Sequence, residues 1–499
     1  MPHGSAGLGE LTPRSVFYDE GRFGRLFPTL PPFAADTPLV RDALLELGAK
    51  GGPMDAGDDL SDPIALIVDP ALNIGNPDNP AMTAGFTFVG QFLDHDMTFD
   101  PTSSLARRQD PESIRNFRIP ALDLDSVYGG GPGASPHLYD SSVDAGRTTL
   151  LTEEIPGSGA VSMGNMVRFD VPRNSQGTAL LGDPRNDENL VVSQFHLALL
   201  RFHNRVLAEV KCELGDGYTV GEIFAEAQRV VRWHYQWMVL HEFLPATVGQ
   251  ATVDDVLTKG LKHFKWRNDP YIPVEFSVAA YRFGHSQVRP SYRANFGTSA
   301  TDTSRQFFAL IFDPTATGSG DPADLRGGRR APRRFIDWQT FFDFGDNRAR
   351  NNKLIDTKLS SVLFELMGQP AGEPVSLASR NLLRALTMKV PSGQRVAQAM
   401  RLPVLAPGDL ADLAELNLGD RTPLWFYVLR EAEVAAGGQC LGPVGGRIVA
   451  EVIVGLIKGD RSSYLRQDPA WTPTYGSGTT FTAADLLNAA GVVATLPRL

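Results

Sequence analysis

The stretch from Asp183 to Gly249 limits the fold more than any other part of the chain. Asp183 is placed to cap a helix, Pro184 suits a first helical position, and Asp187 and Glu188 favour the positive end of the helix dipole. From there NLVVSQFHLALLRFHNRVLAEV keeps apolar residues at helical spacing until Gly215. A second run, VGEIFAEAQRVVRWHYQWMVLHEFLPATVG, follows directly. Two such helices must bury their apolar faces against other elements. Further helices are predicted at TPLVRDALLELGAK, AMTAGFTFVGQFLDHDMTF, SVAAYRFGHSQVR, KLSSVLFELMG, SLASRNLLRALTM, LADLAELNL and PVGGRIVAEVIVGLI, and no βαβ alternation occurs. The fold class is therefore mainly α, one large domain with long loops and little strand.

The loops follow from 49 glycines and 36 prolines in 499 residues. Residues 1–80 read as an irregular lead-in packed on the domain that residues 81–499 form. Net charge is −10, from 47 basic and 57 acidic residues, which argues against nucleic acid as a partner. Cys212 and Cys440 are too few for a disulfide framework or a cysteine metal site and are read as unpaired thiols. No apolar run reaches the ~18 residues of a membrane span. MPHGSAGLGELTPRS lacks the apolar core of a secretory signal, so the expected location is cytoplasmic, or secreted by a signal-independent route.

Three short segments carry chemistry. In GQFLDHDMTFD, Gln91, Asp94 and His95 share one helix face, and Asp96 lies about 100° further round. A lone His–Asp pair is most often an exposed helix end, but Phe86, Phe88, Val89, Phe92 and Leu93 say this helix is buried, and buried charges need partners or a metal. In GDPRNDEN, Arg185 and Glu188 share a face, where the bland reading is a surface ion pair. In YRFGHSQVRP, His285 follows Gly284, whose small size admits a flat ligand.

Together these pieces resemble the animal-type haem peroxidases of the peroxidase–cyclooxygenase superfamily, in a bacterial branch, by motif and order over about residues 85–460. The family's G-Q-x-x-D-H-D is matched by Gly90, Gln91, Asp94, His95 and Asp96. Its G-D-x-R-x-x-E is matched by Gly182, Asp183, Arg185 and Glu188, and its R-x-G-H by Arg282, Gly284 and His285. Asn381 and Arg384 in SRNLLRALTMKVPSGQ match the asparagine behind the iron ligand and a propionate-binding arginine.

The resemblance implies a haem peroxidase catalytic domain over residues 81–499. It implies haem b ligated by His285, whose second nitrogen Asn381 holds. It also implies that His95 moves the peroxide proton, that Arg185 stabilises the departing oxygen, and that Gln91 holds a water or halide. Hydrogen peroxide would be reduced, and a halide, thiocyanate or small organic donor oxidised by way of compound I. Asp94 and Glu188 match the carboxylates that form ester bonds to haem; Asn189 stands where one relative carries a third, methionine link, which is not expected here. A calcium site is implied at Asp96 with IPALDLDSVYG, using the Asp123 and Asp125 carboxylates on one side of an extended strand and the Ala121 and Ile119 carbonyls. Ile119 replaces a common threonine and removes one side-chain ligand.

The alternatives are a fatty-acid dioxygenase of the same superfamily and a non-catalytic haem- or calcium-bearing adhesion module. Dioxygenases use a tyrosine three residues before the proximal histidine; here that place holds Arg282, and Tyr281 one residue back is expected to face away from the haem. A binding module needs neither His95 nor Arg185. His196, His203, His234 and His241 read as packing or surface residues, Trp233, Trp237 and Trp425 as core, and the run from Arg329 to Arg334 as a solvated loop.

Overall fold

The computed structural model describes residues 21–99, 115–116, 118–142, 147–266, 268–313, 315, 322–328, 331–369 and 372–496. The main helices are α1 (Pro38–Leu47), α2 (Gly85–Met97), α3 (Leu190–Leu214), α4 (Val220–Met238), α5 (Leu377–Thr387), α6 (Leu424–Ala436) and α7 (Pro443–Gly459). α3 lies at the centre, with every residue from Leu190 to Leu200 buried. It packs on α2 and α4, while α6 packs on α7 and α1 on α5. Thr219 and Glu222 form a capping box that starts α4, and a π turn at Val239–Phe243 carries the chain on to Val248.

Strands are short and peripheral. Gly21–Gly24 runs antiparallel to Arg115–Asn116 and parallel to Ile272–Pro273, with Phe23 opposite Ile272. Asp78–Thr83 pairs with Asn351–Lys353, and Ser291–Asn295 with Phe307–Leu310. One contiguous apolar core joins residues from Phe23 to Ala490, as expected of a single mainly α domain. Glu275 accepts from the backbone N–H groups of Leu26 and Phe27, and Arg25 donates to the Met388 carbonyl beyond α5. Among the described residues, no helix is long and apolar enough to cross a membrane.

Several elements differ from the sequence expectation. The helix predicted to run on from Asp183 is two elements. Pro184–Asp187 is a 3-10 turn capped by Asp183, and α3 begins only after Asn189, whose extended backbone and side chain cap a new helix at Val192 N. The first residues of AMTAGFTFVGQFLDHDMTF, AMT, end the strand Asp78–Thr83, and α2 starts only at Gly85. SVAAYRFGHSQVR is not an α-helix: a π turn over Glu275–Ala279 breaks at Ala279 into a 3-10 segment, Ala280–His285. The Arg282 Nε donates to the Ser277 carbonyl across that break, satisfying an acceptor there.

KLSSVLFELMG folds as one 3-10 turn, Ser361–Phe364, because Ser360 and Ser361 bond elsewhere: the Ser360 hydroxyl donates to the Val288 carbonyl and Ser361 is tied to Asp55 and Asp58. LADLAELNL also tightens to 3-10. Arg334 is buried rather than solvated and donates to the Pro322 and Asp324 carbonyls, while Arg329 and Arg330 lie outside the described residues. Cys212 and Cys440 are free thiols.

Candidate active site

The segment leading into the Pro184–Asp187 turn packs on the short helix Asp125–Tyr128 because Gly182 lets two backbones touch. Its N–H donates to Ser126 O at 3.0 Å, and a Cβ there would lie 2.5 Å from that oxygen. Arg185, donating to the His95 carbonyl, then ties the turn to α2. A cavity of about 560 Å³ opens there, lined by Gln91, Asp94, His95, Arg185, Glu188, Arg282, Gly284 and His285 among others. All three chemistry-bearing segments therefore reach one space. A Cβ on Gly284 would meet no atom within 4 Å, so the small residue leaves room beside His285.

His95 is buried, and Nδ1 lies 2.8 Å from Asn186 Oδ1. An amide oxygen only accepts, so Nδ1 carries the ring proton. Burial, reinforced by the Arg185 charge, pulls this imidazole down to about 4. Arg185 donates to the carbonyls of His95 and Thr98, pairs with Asp183 at 2.8 Å and stands 4.6 Å from the Phe99 ring centre. The guanidinium is thus fastened to the backbone of the helix that carries His95. Burial raises the Asp183 carboxyl, but Arg185 and Arg118 outweigh it and hold the group well below the usual carboxylate range.

Gln91 Oε1 accepts from Asn189 Nδ2 at 3.1 Å, which turns the Gln91 amide nitrogen toward Glu188 at 3.4 Å. Glu188 is open to the cavity yet deep in the molecule, and loss of bulk water pushes its carboxyl up. Asp94 accepts from the Thr98 hydroxyl at 3.2 Å. It also borders a second cavity of about 140 Å³, together with Arg185, Arg282 and Arg384.

On the His285 side, Nδ1 lies 2.8 Å from Asn381 Nδ2, while Arg282 donates to Asn381 Oδ1 at 2.9 Å. Burial, then the Arg282 charge, pulls His285 down to about 3. Trp425 is fully buried as expected and donates to the Arg282 carbonyl at 3.1 Å. Tyr281 departs from expectation. It lines the cavity, with its hydroxyl donating to the Gly90 carbonyl at 3.2 Å, because the 3-10 segment changes the rotation per residue that an α-helix would impose.

The acidic cluster lies on the other side of α2. Ligand oxygens of Asp96, Asp123 and Asp125 fall within 4.8 Å of one another. The loop is not an extended strand: Leu124 takes a left-handed conformation at φ 60°, and Asp125 opens a short helix to Tyr128. That kink, rather than strand alternation, turns both loop carboxylates toward Asp96. The Asp96 Oδ1 is buried without a hydrogen bond, while Oδ2 accepts from the Tyr235 hydroxyl at 3.1 Å. Burial, with like charge from Asp125 and Asp123, drives Asp96 well up, and burial lifts Asp125 to about 7 despite its 2.9 Å pair with Arg118. The peptide from Ile119 to Ala121 makes a tight turn, Ala121 N donating to Ile119 O at 2.7 Å.

Sequence reasoning missed two neighbours of this site, Asn186 and His196. Asn186 lies 91 residues from His95, and His196 was read as packing. Nothing in their local pattern marks the contact.

Known proteins resemble this chain in sequence and in fold. Heme peroxidase 2 of Caenorhabditis elegans is 25% identical over 458 residues, which take in 77% of this chain and 60% of that protein. Human thyroid peroxidase is 24% identical over 350 residues, 66% of this chain and 34% of that protein. The chain therefore spans less than two thirds of the length of these relatives. Among solved structures, peroxidase A of Dictyostelium discoideum superposes with a TM-score of 0.55 at 18% identity over 94% of both chains. Oryza sativa fatty acid alpha-dioxygenase gives 0.55 at 14% identity, over 95% of this chain and 86% of that one. At these identities the two structures bear on the fold alone. The family description "Animal haem peroxidase" matches residues 108–403, which contain Arg185, His285 and Asn381, and on that match over more than half of its length the chain belongs to the animal haem peroxidase family.

Proposed function

We propose that this chain is a haem-dependent peroxidase that reduces hydrogen peroxide and oxidises a halide, thiocyanate or small organic donor. The observation that carries the reading is one cavity lined by a neutral histidine, a fastened guanidinium and a second histidine from a separate element. The donor set suits haem. Nε2 of His285 makes no hydrogen bond among the described residues, the space beside Gly284 is open, and Arg282 and Arg384 border the adjoining cavity where haem carboxylates would be met.

Haem bound through His285 would supply the redox-active iron. His95, with its lone pair on Nε2, would take the peroxide proton and return it to the leaving oxygen. Arg185 would stabilise the negative charge of that oxygen without reorganising, since its position is already set. Gln91 would hold a water or halide. Asp94 and Glu188, both at the cavity, would form ester bonds to the haem rim. Denaturing mass spectrometry after peroxide turnover is expected to show protein-bound haem, with Asp94→Asn plus Glu188→Gln releasing all of it. We also propose a calcium ion at Asp96, Asp123 and Asp125 with the Ala121 and Ile119 carbonyls, supported by the orphaned Asp96 oxygen.

A fatty-acid dioxygenase is the second reading, favoured by Tyr281 at the cavity wall. Its hydroxyl is already committed to the Gly90 carbonyl, which counts against it. The two separate in one assay. Haem-loaded protein is expected to oxidise bromide or a phenol with peroxide under nitrogen, and to take up no oxygen with a long-chain fatty acid. Oxygen uptake without donor oxidation would reverse the assignment.

A further inference from the structure

We infer that Asn186 is a positioning residue for His95, and that by bridging to His196 it ties the tautomers of the two rings together. The inference rests on the peroxidase reading above and concerns how its proton-moving histidine is held. Asn186 presents Oδ1 to Nδ1 of His95 at 2.8 Å, and its Nδ2 faces Nδ1 of His196 at 3.1 Å. The three side chains are 0–4% exposed, so bulk water offers none of them a competing partner.

The amide fixes two rings at once. Its oxygen accepts, so His95 carries its proton on Nδ1 and keeps a lone pair on Nε2. Its nitrogen donates, so Nδ1 of His196 accepts. Turning the amide over requires both buried rings to change tautomer together. His196 cannot swing away, because it sits on the buried half of α3 with its ring edge-on to Phe92 at 6.0 Å. Asn186 also follows Arg185 directly, so one short turn carries both the guanidinium and the residue that orients the imidazole. Without this acceptor the His95 ring is free to populate the tautomer with Nε2 protonated, which cannot take a proton from peroxide.

The test uses the haem-loaded full chain, with the peroxide rate constant read by stopped flow and expressed per loaded haem. Asn186→Leu is expected to lower it about 10- to 100-fold, a part of the 10²–10⁴ that acid–base work supplies, with the donor KM unchanged. Asn186→Asp accepts from both rings and is expected to restore most of the loss, a rescue that a packing role would not show. His196→Phe keeps the ring and removes the acceptor, and is expected to slow the reaction by a smaller factor. Asn186→Leu at the parent rate, or Asn186→Asp as slow as Asn186→Leu, overturns the inference. If neither Asn186 variant loads haem, His196→Phe decides, and the parent rate there overturns it. His95→Ala is the control: a parent rate in that variant sinks the peroxidase reading itself, whereas a slow His95→Ala beside a fast Asn186→Leu sinks only this inference.

Discussion

His95 and His285 are each held at Nδ1 by an asparagine 2.8 Å away, but by opposite ends of the amide. At His95 the amide oxygen faces the ring, and Nδ1 of His196 accepts from the amide nitrogen. At His285 the nitrogen faces the ring, because Arg282 donates to the Asn381 oxygen. The ring proton therefore sits on Nδ1 in one case and on Nε2 in the other. Residue type and distance are the same on both sides; the amide orientation differs, and at Asn381 a guanidinium that can only donate fixes it. The backbones differ too. His95 stands on regular α-helix, while His285 ends a π and 3-10 segment with a break at Ala279. Iron ligation as proposed for His285 would need the Nε2 lone pair, and so would have to displace that proton or turn the Asn381 amide.

The largest effect is expected from removing the proposed iron ligand. His285→Ala should abolish haem retention, measured as haem absorbance per protein after gel filtration. Full retention with the parent spectrum would show that the two histidines do not have the different roles assigned to them. His95→Ala and Arg185→Ala should instead keep haem and lose about 10²–10⁴ in the peroxide rate constant. If either variant loses haem along with the rate, the division between the two sides of the cavity fails.

Arg282→Leu sharpens the amide argument. It frees the Asn381 oxygen to accept from Nδ1 of His285, so the iron–histidine stretching frequency of the ferrous protein should shift. An unshifted frequency would mean that Arg282 does not govern the amide.

The proposed calcium ion should act on stability rather than on the His285 side. Chelation, or Asp96→Ala, is expected to lower the melting temperature by several degrees, since a bound ion stabilises only the folded state. A chelated protein that melts like the parent would remove the metal from the account.

The smallest effect concerns a histidine away from the cavity. His203 is held by Tyr128 and the Thr148 carbonyl, and burial pulls it down to about 4. An unfolded histidine titrates near 6.5. Between about pH 6.5 and 4 the unfolded chain thus binds the extra proton, and stability falls as pH falls through that window. Asp125, lifted to about 7, works in the opposite sense in chelated protein, because a raised carboxyl gains stability on protonation. His203→Gln should therefore make the acid loss shallower in calcium-loaded protein, and an unchanged slope would refute the assignment.

Local sequence was enough for whatever lies within a turn or two of its cause. The shared face of Gln91, Asp94 and His95, the opposite direction of Asp96, and the helices at Pro38, Ser376 and Pro443 all follow from spacing and capping. Motif order also placed Arg185 and His285 at one cavity with His95. Tertiary structure decided the rest. The break at Asn189 and the π turn before His285 arise where side chains or packing outweigh local helical preference, and the left-handed Leu124 interrupts a segment expected to be extended. The proton positions on His95 and His285 depend on contacts across 91 and 96 residues of chain. A hydrogen bond that long in sequence leaves no periodicity behind it, so only the folded chain shows which end of each amide meets each ring.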